Sequence, residues 1–193
     1  MDAKQPFLEL HVAYPAWVGE TVDWDRSYGD TSDRMRLAVR LARENVVRSG
    51  GGPFGAAVFE RDSGRLLSVG MNLVITRQNS VLHAEIVALM MAEQAVGSYS
   101  LEGSDGVAHE LVTSCDPCAM CLGAVGWSGV KRLVCGAMRD DAKSIGFDEG
   151  PVFPESWPYL EQRGIEIVRG VLRDEAREVL ALYKERGGLI YNG

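Results

Sequence analysis

The chain has 193 residues, 46% hydrophobic and 24% charged, with a formal net charge of −7 at pH 7. That length suits one well-buried core, no apolar run approaches the ~18 residues that would suggest a membrane span, and the scattered basic residues give a polyanion nothing to hold. The expectation is a cytoplasmic protein with neither membrane nor nucleic-acid partners: an N-terminal arm (1–30), then a single domain (31–193) that includes the C-terminal tail.

The arm has no sustained period, contains Trp17 and Trp24, and has its early apolar residues broken up by Glu9, His11 and Pro15, so no secretory core forms. From Thr31 or Ser32 as N-cap, Met35, Ala38, Val39, Ala42 and Val46 recur at helical spacing until Gly50, Gly51 and Gly52. Phe54 to Glu60 predicts a strand, Asp62-Ser63-Gly64 a turn and Arg65 to Val69 the hairpin partner, with Asn72 just beyond it. Ser80 is the expected cap of a second helix, with Ala84, Val87, Ala88, Met91 and Ala95 on one face and an end near Gly97. Met90 and Met91 are expected to pack in the core.

Leu111 to Thr113 reads as a short strand, and Asp116-Pro117 as a helix start, because proline suits the first helical position. Arg132 to Ala137 predicts a strand, Asp140 to Ile145 a short helix and Ile165 to Val168 a fifth strand. A last helix carries Leu172, Ala176, Val179, Leu180 and Tyr183 on one stripe before Gly187, leaving a tail with Leu189, Ile190 and Tyr191. A hairpin followed by alternating helices and strands predicts a three-layer α/β/α sandwich around a mixed five-stranded sheet.

The chemistry concentrates in HAE at 83–85 and PCAMC at 117–121, each at a predicted helix start. Cysteines three apart on a helix project to one side, and a histidine from another helix supplies a third ligand, so His83, Cys118 and Cys121 make an open zinc site with a fourth position for water. Zinc is therefore the expected cofactor, and Glu85 the group that carries protons between water, substrate and leaving group, as in zinc nucleobase deaminases. Two blander readings compete. His83 and Glu85 can cap a helix over buried cysteines, or Cys115 can close a four-ligand structural site. Cys135 falls in a central strand and reads as core, while His11 and His109 read as surface residues.

GGPFGAAVFE from Gly51, GMN ending at Asn72, HAE, TSCDPCAMCLGA from Thr113 and IGFDEG ending at Gly150 together resemble the bacterial guanine deaminases of the cytidine deaminase-like superfamily. The resemblance spans roughly residues 33 to 193, and the final YNG is similar to that of a subgroup. It implies that Asn72 contacts the purine, and that Glu149 recognises the guanine edge and assists ammonia departure, with Asp148 as the competing acid. The logic holds chemically: guanine presents ring N–H and amino donors beside the reacting carbon, which an acceptor-only carboxylate matches. Phe54, Ala84, Trp127 and Tyr191 complete the candidate substrate-binding set, Trp127 also being a candidate subunit contact or core residue, and the tail a candidate cover for the site.

The resemblance thus implies hydrolysis of guanine to xanthine and ammonia by a homodimer acting on a small purine. Rival substrates are guanosine and aminated triazines such as ammeline. Rival functions are editing of the kind performed by tRNA adenosine deaminases, against which the charge argues, and a noncatalytic zinc-stabilised binding module, which would have no need of Glu85.

Overall fold

Four largely buried strands and a short, partly exposed fifth build the sheet in the computed structural model, which describes residues 10–103 and 106–192. The first nine residues of the arm and Gly193 of the closing YNG lie outside the described residues. β1 (Gly55–Glu60) and β2 (Leu66–Met71) form the antiparallel hairpin, β3 (His109–Cys115) joins β1 antiparallel, and β4 (Arg132–Ala137) and β5 (Glu166–Val168) follow in parallel. The order β2-β1-β3-β4-β5 is the expected mixed sheet.

Around it run α1 (Val18–Thr21), α2 (Thr31–Glu44), α3 (Val74–Arg77), α4 (Ala84–Val96), α5 (Ala119–Ser128), α6 (Arg139–Ser144), α7 (Ser156–Gln162) and α8 (Arg173–Glu185). Successive strand side chains point to opposite faces. Ala57, Phe59, Val112 and Val134 share a core with α2 and α8, whereas Ala56, Val58, Leu111 and Leu133 share one with α4 and α5. Helices therefore cover both faces, and the three layers follow. Among the described residues, no helix is long and apolar enough to cross a membrane.

Helix starts depart from expectation for local reasons. α2 is capped by Asp30, whose carboxylate accepts from the Asp33 amide at 2.7 Å, not by Thr31 or Ser32. Ser80 lies in a turn, and the N-cap of α4 is His83. α5 begins with Cys118 as its N-cap, so Pro117 precedes the helix. Asp116 is unavailable as a cap because its carboxylate already accepts from the Arg139 amide at 3.0 Å and from the Arg169 guanidinium. α1, α3 and α7, of four to seven residues, are too short to show a period in the sequence.

Two expected environments are corrected. Met90 is 39% exposed rather than core. His109 is buried rather than on the surface, its Nδ1 2.8 Å from the Leu101 carbonyl oxygen. The arm contributes Trp17, Val18, Val22 and Tyr28 to the core. It is tied in further by Arg34, which donates to the Tyr28 and Arg61 carbonyls at 2.9 Å each and to the fully buried Glu110 at 2.6 Å.

Candidate active site

The first residues of α4 and α5 meet beside the ends of β2 and β3. His83 and Cys118 are both N-caps with extended backbone, and Cys121 stands one turn into α5. His83 Nδ1 lies 3.5 Å from Cys118 Sγ and 3.6 Å from Cys121 Sγ, and all three donor atoms fall within 4.8 Å of one another. Bonds of ~2.1 Å to nitrogen and ~2.3 Å to sulfur at tetrahedral angles give N···S edges of about 3.6 Å. The donor set fits zinc, and a three-ligand set leaves one coordination position for water or substrate.

The Cys118 thiol is drawn down to about 4 by its bonds with Cys121 and then His83, although burial opposes this. The same Cys118 bond, with burial, pushes Cys121 up. Such a pair shares one proton, which a cation would displace. Cys115 takes no part in the cluster: it is buried, with Sγ 3.8 Å from the Met138 carbonyl oxygen. Cys135 is in the core with Leu133 and Val125.

Glu85, two residues into the site from His83, is 6% exposed, and burial followed by the nearby Cys118 thiolate raises its carboxyl to about 7. Glu149 is 7% exposed and raised to about 8, first by burial and then by Cys118 and Glu85. Both line one cavity with Phe54, His83, Asp116, Cys118, Phe147, Asp148 and Tyr191. Asp148 itself is exposed, and its Oδ1 accepts from the Gly150 amide at 2.9 Å, which leaves Glu149 as the buried acid.

The cavity measures about 30 Å³, enough for a water and too small for a purine. Tyr191 accounts for this. Its ring meets Phe147 edge-on at 5.1 Å between centroids, and Phe147 meets Phe54 in the same way at 5.1 Å. Asn192 fastens the tail by accepting from the Asp148 amide at 2.9 Å and donating to the Gly146 carbonyl at 3.0 Å. Tyr183 adds a bond from its hydroxyl to the Leu189 carbonyl at 2.6 Å. The tail thus forms one wall of the cavity.

Asn72 is fully buried directly after β2; its Oδ1 accepts from the Val74 amide at 3.3 Å, and its Nδ2 has no partner among the described residues. The Tyr191 hydroxyl is likewise buried without a partner. The two converge on Gly52, where a Cβ would collide with both side chains, which is why glycine is needed there.

Three candidates do not line the cavity: Asn72, buried beside Gly52, and two that lie elsewhere. The Ala84 side chain packs in the core with Ala56, Val58 and Ala88, away from the cavity. Trp127 is 83% exposed and lines a separate groove of about 450 Å³ with Phe153 and Tyr159, because the far end of α5 points away from the donor cluster. Asp116 and Phe147 are the lining residues that sequence reasoning missed. Both sit inside quoted motifs, but Asp116 reads as a helix start because a proline follows it, and Phe147 carries no chemistry of its own beside the acids after it.

Residues 29–137 match the family described as the cytidine and deoxycytidylate deaminase zinc-binding region. A Bacillus subtilis guanine deaminase is 36% identical over 140 residues, covering 72% of this chain and 85% of that protein. A tRNA-specific adenosine deaminase of Buchnera aphidicola is 31% identical over 147 residues, covering 76% and 89%. The solved guanine deaminase from Nitrosomonas europaea superposes with a TM-score of 0.87 at 43% identity, covering 92% of this chain and 97% of that one. With its matched motifs supplying a donor set that fits zinc and a buried glutamate beside it, the chain belongs to the cytidine and deoxycytidylate deaminase zinc-binding family.

Proposed function

We propose that this chain hydrolyses guanine to xanthine and ammonia, with His83, Cys118 and Cys121 holding zinc. The observation that carries the reading is a second buried carboxyl, Glu149, facing the same cavity as Glu85. The identity to guanine deaminases supports it further.

Bound zinc lowers the pKa of a coordinated water toward neutrality. Glu85 takes the proton released there and delivers it to N3, the ring nitrogen beside the amino-bearing carbon. The second proton of the same water, relayed by Glu85 to the amino group as the carbon–nitrogen bond breaks, lets ammonia leave and the new carbonyl of xanthine form. As a carboxylate, Glu149 accepts from N1–H and the exocyclic amine, a pairing that adenine and cytosine cannot complete, so a wrong base leaves a buried acceptor unpaired. Asn72 contacts the purine through its free Nδ2, Phe54 and Tyr191 flank the base, and Asp148 shapes the loop that carries Glu149.

The protein acts as one deaminase domain with its arm and tail, in the cytoplasm, as a homodimer. The exposed apolar groove of Trp127, Phe153 and Tyr159 supports that pairing. A second reading, editing of tRNA adenosine, is favoured by the 31% identity to the Buchnera enzyme and disfavoured by the net charge of −7. Ammonia release from guanine, guanosine, ammeline, adenine and cytosine, with Glu85→Gln in parallel, tests the assignment. Selective, Glu85-dependent release from guanine upholds it; release from another base moves the substrate; inert free bases with deamination of a tRNA would overturn it.

A further inference from the structure

α2 does not stop at Glu44 but runs into a π turn, Asn45–Ser49, closed by Gly50 at φ 65°. Gly50 and Gly51 both donate their amides to the Asn45 carbonyl, folding the chain back so that Gly52 passes beside the Asn45 side chain. Asn45 is fully buried, and its Nδ2 donates to the carbonyls of Gly52 at 2.9 Å and Asn72 at 2.8 Å. Two acceptors on one nitrogen fix which way the amide faces. From the outside, Trp17 of the arm donates its indole N–H to Ser49 Oγ at 2.7 Å. Single π turns within helices are frequent at functional sites.

Asn45 thus holds the backbone carbonyls of Asn72 and of Gly52, the glycine that faces the Asn72 side-chain amide and the Tyr191 hydroxyl, and Asn72 Nδ2 and Tyr191 Oη are both buried without a partner among the described residues. We propose that Asn45 is a positioning residue for base recognition: by tying the Gly52 and Asn72 carbonyls together it sets the direction of the Asn72 amide, while Trp17 and Ser49 hold the turn that seats it. This rests on the reading of Asn72 as a purine contact.

The test is a double-mutant cycle on the zinc-loaded full chain, with guanine kinetics and Tm for Asn45→Ala, Asn72→Ala and the pair. Asn45→Ala is expected to lower kcat/KM by about tenfold, mostly through KM, and by less than about twofold once Asn72 is already alanine. An equal loss in both backgrounds overturns the proposal while Asn72 keeps its role. No effect of Asn72→Ala overturns the reading of Asn72 and the proposal with it. If Asn45→Ala does not fold, Ser49→Ala carries the question: KM should rise about threefold with kcat and Tm little changed, and an unchanged KM rejects the proposal.

Discussion

Glu85 and Glu149 are both carboxyls, and their surroundings give both of them the unusual ability to hold a proton near neutral pH. Glu85→Gln keeps the shape and removes the basicity, so it should bind guanine with little change while kcat falls by about 10²–10⁴-fold; steady-state kinetics with equilibrium binding checks both halves. Glu149→Gln replaces an acceptor by a group that also donates. It should raise KM for guanine and lower kcat/KM by about 10²-fold or more, as happens where a site leaves a buried polar group wrongly paired. At this scale the chemistry was legible because HAE and PCAMC state their ligand spacing directly. Asn45 and Phe147 were not legible: what they touch is set by the turn of the chain, and neither an asparagine nor a phenylalanine announces that in sequence.

Glu110 lies inside β3 with no exposure, paired with Arg34 at 2.6 Å and Arg132 at 2.9 Å. Removing one partner of a buried ionic cluster leaves the others uncompensated, so Glu110→Ala should destabilise by about 3–5 kcal/mol in urea unfolding. Nothing in the HELVT stretch signals this, since its partners come from α2, 76 residues earlier, and β4, 22 later. Asp141 is a milder case at the start of α6, accepting from the Met138 amide at 2.8 Å and from Arg173 at 2.8 and 2.9 Å. Bonding to Arg173 lowers its carboxyl below the usual value, burial opposing. A lowered carboxylate stabilises the fold above its unfolded pKa and loses that contribution as pH falls through the folded one. Asp141→Asn should therefore lose about 1 kcal/mol near pH 7 and converge with the parent in acid; Tm against pH reads this out. The long helices and the strands were readable from their periods. The caps of α4 and α5 were not, because His83 and Cys118 hold cap positions for the sake of their ligand atoms, where capping chemistry would favour serine or aspartate.

At the scale of the whole molecule, neither hydrophobic cluster contains any of the three donor residues. Chelating zinc should abolish turnover and lower Tm by the linkage of metal binding alone, with the helix signal in circular dichroism retained; collapse of that signal would instead make the metal a folding element. The three-layer arrangement follows from the order of helices and strands, whereas the place of the tail does not, since residues 189–192 have no period and dock where Phe147, the Gly146 and Asp148 backbones and the Tyr183 hydroxyl receive them. Deleting residues 189–193 should leave the core folded and reduce kcat, which activity and Tm together would register.

The cavity of about 30 Å³ beneath Tyr191 also bears on time. A purine does not fit a space of that size, so the form that binds one must be wider there, and the measured affinity should be that of the wider form scaled by its population. Ammonia fits where xanthine does not. Xanthine therefore leaves only from a wider form of the site, and turnover should slow in step with solvent viscosity if that widening sets the pace.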